Sequence, residues 1–330
     1  MSMFNKPKFR KPGFKLALVA TVLSAVVIIL GAYTRLVNVG FGCSDWSSCY
    51  GTVNAGFVVW PGLSHRYLAG ILGALITLLA VGSWRRRDDE SYPFRLPTFI
   101  LFLVVWQALL GMWSVNVTLW AQVATVHLLG GVVNCSLLWL LTLRLDNKYW
   151  KLSTDIMARL THVKPWLIGA VLIVGIQILL GGWTSANYAA FACPDFPLCQ
   201  NQWWPEMDIW QGFNIAQTSG VDSLSETLES EARVAIHVIH RMGAVVTTVY
   251  LLGLAILLLT INHRRIRRMS LILVAMLSVQ LLLIIASGQI RATLLTAIVH
   301  NIGGVLLLLT LVTLATRVWT AKLKYQRLES

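Results

Sequence analysis

Long apolar stretches separated by short polar segments dominate the pattern of hydrophobic and polar positions. A membrane-spanning helix needs roughly 20 mostly apolar residues, and eight stretches approach or exceed that length. They predict spanning helices at about 16–34, 62–84, 97–117, 121–143, 166–184, 233–261, 270–289 and 295–316. The pattern therefore predicts an all-α integral membrane protein with eight transmembrane helices.

Polar positions of the first half return in the second half in the same order. The matched pairs are Gly31 with Gly181, Cys43 with Cys193, Cys49 with Cys199, His65 with His240, and His127 with His300. Each copy carries four predicted spans, which indicates a duplicated unit. We expect two pseudo-symmetric four-helix bundles, one in residues 1–150 and the other in residues 151–330.

Composition and charge support a membrane protein. The chain has 56% hydrophobic and 12% charged residues, whereas charged residues make up about a quarter of a soluble domain. Lysine and arginine gather before the first span, after the second and sixth, between the halves and at the chain end, which predicts that both termini are cytoplasmic. The net charge of +13 is then explained by anionic lipid headgroups rather than by nucleic acid. A multi-pass protein of the bacterial inner membrane is expected.

Four cysteines form two pairs with five residues between the partners, Cys43 with Cys49 and Cys193 with Cys199. Both pairs fall in loops opposite the basic segments, where an oxidising compartment would favour structural disulfides. A redox-active pair that exchanges electrons with a thiol protein is the alternative. Metal binding is disfavoured because no nearby histidine completes a tetrahedral set. Cys135 lies within a span and is expected to be a buried, inert thiol.

Histidines are the main candidates for chemistry. His65 and His240 fall near the outer starts of spans two and six, and His127 and His300 near those of spans four and eight. An imidazole in hydrocarbon needs a partner, so an intramembrane histidine is by default a functional candidate. Two further histidines, His162 and His263, lie in basic segments and are expected to be solvated.

The two histidines of each half enter the membrane from the same side and can face each other at similar depth. Opposed imidazoles on separate helices suit the two axial positions of a haem iron, whereas zinc or copper would normally need a third ligand at the same level. Small residues follow each histidine and would let the backbone approach a planar ligand, although such glycines also mediate ordinary helix packing. They are Gly70, Gly73, Gly130, Gly131, Gly243, Gly303 and Gly304.

Arg66 and Arg241 directly follow the first histidine of each half. A guanidinium is well suited to a carboxylate, so both could hold haem propionates; snorkelling towards lipid headgroups is the equally weighted alternative. His237 shares a helical face with His240. It is either a satisfied interfacial histidine or an alternative ligand.

Several of these motifs resemble the haem A synthase family of cytochrome oxidase assembly proteins. The resemblance rests on GAYTRLVNVGFGCSDWSSCYG from Gly31, the His-Arg pairs at His65 and His240, and the His-x-x-Gly-Gly segments at His127 and His300. It implies two similar bundles. Haem b would be the cofactor at His240 and His300, and haem O the substrate at His65 and His127. The implied reaction oxidises a porphyrin methyl group to a formyl group by successive hydroxylations.

One position departs from the family pattern. The family usually has a glutamate three residues before the first histidine, where this chain has Gly62, and no acidic residue lies between Asp45 and Asp88. The lost carboxylate would be a candidate for proton handling. Three interpretations remain open: Asp45 replaces it, the acid is dispensable, or the chain binds haem without oxidising it. Asp45 is also mirrored by Asp195.

Two other classes of function are therefore kept beside the enzyme. One is a catalytically silent protein that carries haem for oxidase assembly, and the other is a dihaem electron-transfer protein. The expected partners are membrane lipid, haem O and an unidentified electron donor. Haem O synthase and a second copy of the chain are further candidates.

Overall fold

The computed structural model describes residues 10–36, 60–116, 121–216, 228–289 and 294–324. Within these ranges the side chains of residues 114–116 and 286–289 are not described. The elements are α1 (Phe14–Leu36), α2 (Trp60–Trp84), α3 (Arg95–Asn116), α4 (Ala121–Leu145), β1 (Lys151–Leu152), α5 (Thr154–Ala186), a 3-10 helix (Ala189–Phe191), α6 (Ile209–Gly212), α7 (Ser230–Leu259), α8 (Arg264–Gln289), α9 (Leu294–Trp319) and β2 (Lys322–Leu323).

Eight of the described helices are long and apolar enough to cross a membrane. They coincide with the eight predicted spans and confirm the all-α membrane class. Only 22% to 39% of the most apolar window of each helix is buried inside the protein. The remaining apolar side chains face outward, which is favourable only if lipid rather than water surrounds them.

The pattern predicts that the fifth span starts at residue 166, but α5 begins at Thr154. Its first three turns are amphipathic rather than apolar, because Leu160, Val163 and Leu167 are buried on one face while polar residues cover the other. Pro165 lies inside the helix without ending it. Hydropathy identifies only the part of α5 that is apolar on all sides. The predicted start of the fifth span therefore falls later in the chain than the start of the helix.

Helix contacts are arranged as two rings. Helix α1 contacts α2 and α4, and α3 also contacts both. Helix α5 contacts α7 and α9, and α8 also contacts both. Helices α2 and α4 therefore lie diagonally across the first ring, and α7 and α9 across the second. This is the packing that two four-helix bundles would produce; the assignment of separate roles to residues 1–150 and 151–330 stays a prediction.

The two ends of the helices differ. We call the end where α1 starts and α2 ends the basic face, and the opposite end the histidine face. The two largest described core clusters, which include Ile76, Leu138 and Leu141 in one half and Leu254, Leu258 and Leu311 in the other, lie towards the basic face. Large apolar side chains thus fill the space between the helices near the basic face, whereas glycine, glutamine and histidine residues lie between the helices near the histidine face.

Asp146 ties together three segments at the basic face. Its carboxylate lies 3.0 Å from Arg10, 3.3 Å from Lys148 and 3.8 Å from Arg317. The segment after it pairs with the chain end, because Lys151 and Leu152 of β1 run parallel to β2. The N-terminal segment, the connection between the halves and the C-terminal segment are thus held at one point. Which face is cytoplasmic remains the prediction made from the charges.

We expect Asp146→Ala to lower the free energy of unfolding by about 1 kcal/mol, since three cations lose a partly buried carboxylate that is shared among them. Unfolding of the purified protein in detergent, followed by intrinsic fluorescence, measures the change. Asp155→Ala is the matched control, because its pair with Arg159 is exposed on both sides. Equal unfolding midpoints for the two variants would contradict this role of Asp146.

Candidate functional site

His65 lies in the second turn of α2 and is seated against the backbone of α1. Its Nδ1 is 2.9 Å from the carbonyl oxygen of Val27. A carbonyl can only accept, so Nδ1 carries the proton and donates it, and Nε2 keeps a free lone pair. Gly31 makes the approach possible: a Cβ at that position would lie 2.9 Å from Cε1 of His65. This tautomer is the one that leaves Nε2 available to a metal.

His240 occupies the matching place on α7 and is seated against α5. A Cβ at Gly181 would lie 3.2 Å from its Cε1. Its Nδ1 faces a side chain instead of a carbonyl, since Nε2 of Gln177 lies 3.2 Å from Nδ1 and donates to the carbonyl oxygen of His240 at 3.1 Å. The Oε1 atom of Gln177 is buried and has no hydrogen-bond partner among the described residues.

His127 on α4 and His300 on α9 complete the two pairs. The Nδ1 atoms of both are buried and have no hydrogen-bond partner within the described part of the chain. A Cβ at Gly111 would lie 3.4 Å from Cε1 of His127. An unpaired buried imidazole nitrogen costs free energy. These histidines are therefore poorly explained as packing residues and well explained as groups held for a ligand.

Each pair spans a ring diagonally, because α2 and α4 carry one pair and α7 and α9 carry the other. Both members of each pair lie near the same end of their helices, since α2, α4, α7 and α9 all begin at the histidine face. No cluster of three or more histidine, cysteine or acidic side chains suited to a metal ion occurs in the described ranges. Two imidazoles per half, with glycines clearing their edges, would suit the binding of a haem iron through two histidines.

Two glutamines lie one helical turn deeper, and the sequence pattern alone did not assign them a role. Gln107 on α3 packs onto Gly130 of α4, and Gln280 on α8 packs onto Gly303 of α9; in both places a Cβ would overlap the amide nitrogen. Both glutamines are more than nine-tenths buried. Their identical offset of 173 from the first half to the second, which His127 and His300 share, was the signal that could have revealed them.

Arg241 binds the loop above the second pair. Its guanidinium donates to the carbonyl oxygens of Leu198 at 2.8 Å, Cys193 at 3.0 Å and Asp195 at 2.9 Å. From the sequence we expected Arg241 to contact haem propionates or lipid headgroups, and not the carbonyl groups of a loop. Contact with a propionate remains a prediction for Arg241, and also for Arg66, which lies in the second turn of α2.

Cys193 and Cys199 form a disulfide, as predicted for the second pair. Both are buried against Val234 of α7. Cys43 and Cys49 lie outside the described residues. Cys135 is a buried free thiol, in agreement with the expectation.

The carboxylate of Asp195 stabilises this disulfide loop. It accepts hydrogen bonds at 2.7 Å from the backbone N–H groups of Gln200 and Asn201. Slight burial acts to raise the pKa of Asp195, but the backbone hydrogen bonds outweigh it and hold that pKa below its ordinary value. Asp195 thus has a local structural role, while its counterpart Asp45 lies outside the described residues.

Three other expectations concern single residues. His162 is exposed, as predicted. His263, expected to be solvated, is only partly exposed and its ring lies 6.3 Å from that of Trp150, because the turn after α7 folds back onto the segment before β1. Nδ1 of His237 donates to the carbonyl of Ala189 at 2.8 Å, which supports its interpretation as a satisfied interfacial histidine.

Gly62 lies one turn before His65 in a part of the structure with free space. A Cβ at this position would meet no atom of the described residues within 4 Å. Beside it is an open cleft of about 430 Å³, lined by Trp60, Pro61 and Ser64 of α2 and reaching Ile298 of α9. The packing of the described residues around Gly62 therefore does not require a glycine.

Fold and site together define a multi-pass membrane protein in which each half presents a diagonal pair of histidines at the same face. The family described as cytochrome oxidase assembly protein matches residues 14–56 and 53–312. A protein of Shewanella oneidensis named Heme A synthase is 36% identical over 321 residues, covering 91% of this chain and 95% of that protein. Another Heme A synthase, from Shouchella clausii, is 28% identical over 297 residues and covers 87% of each chain.

The chain therefore belongs to the haem A synthase family of cytochrome oxidase assembly proteins, as its motifs predicted.

Proposed function

We propose that this protein is a haem-dependent membrane oxidoreductase of haem A biosynthesis, which converts haem O to haem A. Two findings support it: membership of the family, and the pair of opposed histidines in each half. The pair of histidines in each half is the main support, since a protein that holds a cofactor haem and a substrate haem at once needs two sites with two imidazoles each.

In this proposal His240 and His300 hold haem b, and His65 and His127 hold haem O. Bound haem b supplies a one-electron ferric/ferrous couple. Conversion of the substrate's methyl group to a formyl group is a four-electron oxidation that adds one oxygen atom. With water as the oxygen source, four electrons and four protons leave to an electron acceptor; with two molecules of dioxygen, a donor supplies four electrons and three waters are formed. An electron-transfer partner in the membrane is therefore part of the proposal.

The chain's own residues orient and enclose the two groups. The carbonyl of Val27 fixes the ring of His65 and leaves its Nε2 free, as described above. Arg241 fastens the disulfide loop to α7 at the histidine face, so the loop can shield the C-terminal pair from water. Arg66 and the remaining donors of Arg241 are the candidates for propionate contacts.

We place the protein in the bacterial plasma membrane with both termini cytoplasmic. The arginines and lysines of residues 10–15, 85–95, 144–164 and 264–268 all fall at the basic face. Positively charged segments are preferentially retained in the cytoplasm. The two haem sites would then lie close to the outer surface.

Pigment analysis tests the proposed reaction. The chain is expressed in a membrane that contains haem O but no other haem A synthase, and extracted haems are separated and identified by mass. Hydroxylated haem O or haem A is the expected product. Haem O recovered unmodified, together with bound haem b, would overturn the reaction while leaving haem binding intact.

A silent haem carrier is the second candidate, and Gly62 is the observation that favours it. Gly62→Glu separates the two, because it supplies the missing carboxylate at a position where a Cβ meets no atom of the described residues within 4 Å. Oxidation by Gly62→Glu but not by the wild type would identify a carrier that has lost its acid. An electron-transfer protein is less well supported, since all four histidines lie at one face rather than at two depths.

A further inference from the structure

The two halves hold their first histidine with different kinds of partner, although the partner comes from the same repeat position. Val27 and Gln177 are 150 positions apart, the offset that also relates Gly31 to Gly181. In the first half Nδ1 of His65 meets the main-chain carbonyl of Val27. In the second half Nδ1 of His240 meets the side-chain amide of Gln177.

A main-chain carbonyl is a fixed acceptor, whereas an amide side chain can present either a donor or an acceptor. As placed, the amide nitrogen of Gln177 faces Nδ1 of His240, and an amide nitrogen can only donate. In that arrangement Nδ1 accepts and the proton sits on Nε2. A half-turn of the amide would bring Oε1 to the same place, where it would accept from a protonated Nδ1.

The surroundings of Gln177 permit both arrangements. Its Oε1 is buried without a hydrogen-bond partner among the described residues, so a half-turn breaks no bond to that atom. It does break the bond to the carbonyl of His240, which lies inside α7 and can still accept from the helix. Gly243 leaves room on the far side, since a Cβ there would overlap the amide.

We propose that Gln177 is a positioning residue that sets the tautomer of His240 and thereby the reduction potential of the C-terminal haem. The inference rests on the proposed function, because it requires haem at His240 and His300. Binding of iron through Nε2 requires the proton on Nδ1, and Gln177 then presents Oε1 to it. A hydrogen bond from Nδ1 raises the basicity of an imidazole ligand, and a more basic ligand favours ferric iron.

The halves therefore differ in how the ligand is controlled. His65 always has an acceptor for its Nδ1 proton, so its Nε2 is always ready to bind iron. His240 obtains that acceptor from a side chain, so the strength of the interaction depends on the residue at position 177. Substitution at position 177 can change the potential of one haem without touching either of its ligands.

Two substitutions of Gln177 test the proposal by opposite effects. Gln177→Met removes donor and acceptor at similar volume, and should favour ferrous iron and weaken haem retention about 10-fold, as loss of a ligand's hydrogen-bond partner typically does. Gln177→Glu provides a stronger acceptor and should favour ferric iron. We expect each variant to change the ferric/ferrous ratio at a fixed potential about 10-fold, which is about 59 mV for one electron.

The measurement is a spectroscopic redox titration of the purified full chain, following the low-spin signal that His300→Ala removes. Gln122→Met is the matched control: it makes the same change at a glutamine of α4 whose amide donates to the carbonyl oxygen of Ile215 rather than to a histidine, and it should leave the potentials unchanged. Opposite shifts in the two Gln177 variants support the proposal. Wild-type potentials in both, or shifts of the same sign, would overturn it.

Failure of the proposed function gives a different result. A wild-type protein that carries no haem after haem-replete expression would refute haem binding itself, and this inference with it. If Gln177→Met does not accumulate in the membrane, Gln177→Glu decides alone, since an unchanged potential in that variant contradicts a role for the side chain.

Discussion

His240→Ala or His300→Ala is expected to abolish the low-spin haem b spectrum of the purified protein. Each substitution removes one of the two imidazoles proposed to bind the iron. Loss of a hydrogen-bond partner to a ligand typically weakens metal binding 10- to 100-fold, so loss of the ligand itself should exceed about 100-fold. The pair is diagonal across α7 and α9, and the neighbouring imidazole of His237 is held by the carbonyl oxygen of Ala189 through its Nδ1.

Absorption spectra of the reduced and oxidised protein, together with haem content per polypeptide, measure the effect. The N-terminal variants should behave differently: His65→Ala or His127→Ala is expected to retain haem b and lose bound haem O. His162→Ala is the matched control, because His162 is exposed in the first part of α5 and should leave both pigments unchanged. A wild-type spectrum in both His240→Ala and His300→Ala would show that the iron is held elsewhere.

The helices, and the face at which the four histidines lie, could be predicted because they depend on features that recur along the chain. Spans follow from the length of apolar stretches, and the predicted end of span two at 84 and start of span four at 121 agree with α2 and α4. The depth of a residue in the membrane, and the side on which it lies, follow from its distance to the ends of its span. Two histidines near the same ends of alternate helices could thus be placed together from the order of residues alone.

The hydrogen-bond partners of the histidines could not be predicted, because they depend on the direction of each side chain and on which of several nearby atoms it meets. The contact between Gln177 and His240 has no counterpart in residue type at Val27, so the repeat gave no hint of it. Arg241 was expected to face lipid or propionate, whereas it donates to three carbonyls of the disulfide loop. Such carbonyls are present at every residue and carry no sequence signal.

The two glutamines one helical turn deeper than His127 and His300 could be predicted only in part. Gln107 and Gln280 are visible as a repeat, but only the structure shows each amide lying on a glycine of the next helix. The glycines allow α3 and α8 to bring a polar side chain against α4 and α9, one turn from the imidazole. The close approach of these helices, and with it the position of His127 and His300, therefore depends on the absence of a Cβ.

Gly303→Leu should consequently remove haem b while sparing the N-terminal site, and Gly130→Leu should do the reverse. A leucine at either position would overlap a glutamine that is itself buried, and overpacking of this kind costs about 1 to 3 kcal/mol. The strain falls beside the ligand helix, so we expect at least about a 10-fold loss of the haem of that half. Haem content and pigment type, measured separately for the two variants, give the result.

Gly253→Leu is the matched control, since a Cβ on this glycine of α7 meets nothing within 4 Å in the described part of the chain and both haems should be retained. The half-specific outcome also tests the division of roles between residues 1–150 and 151–330. If Gly130→Leu and Gly303→Leu both failed to retain the same haem, the two halves would share one site, and the diagonal pairs could not each hold a porphyrin of their own.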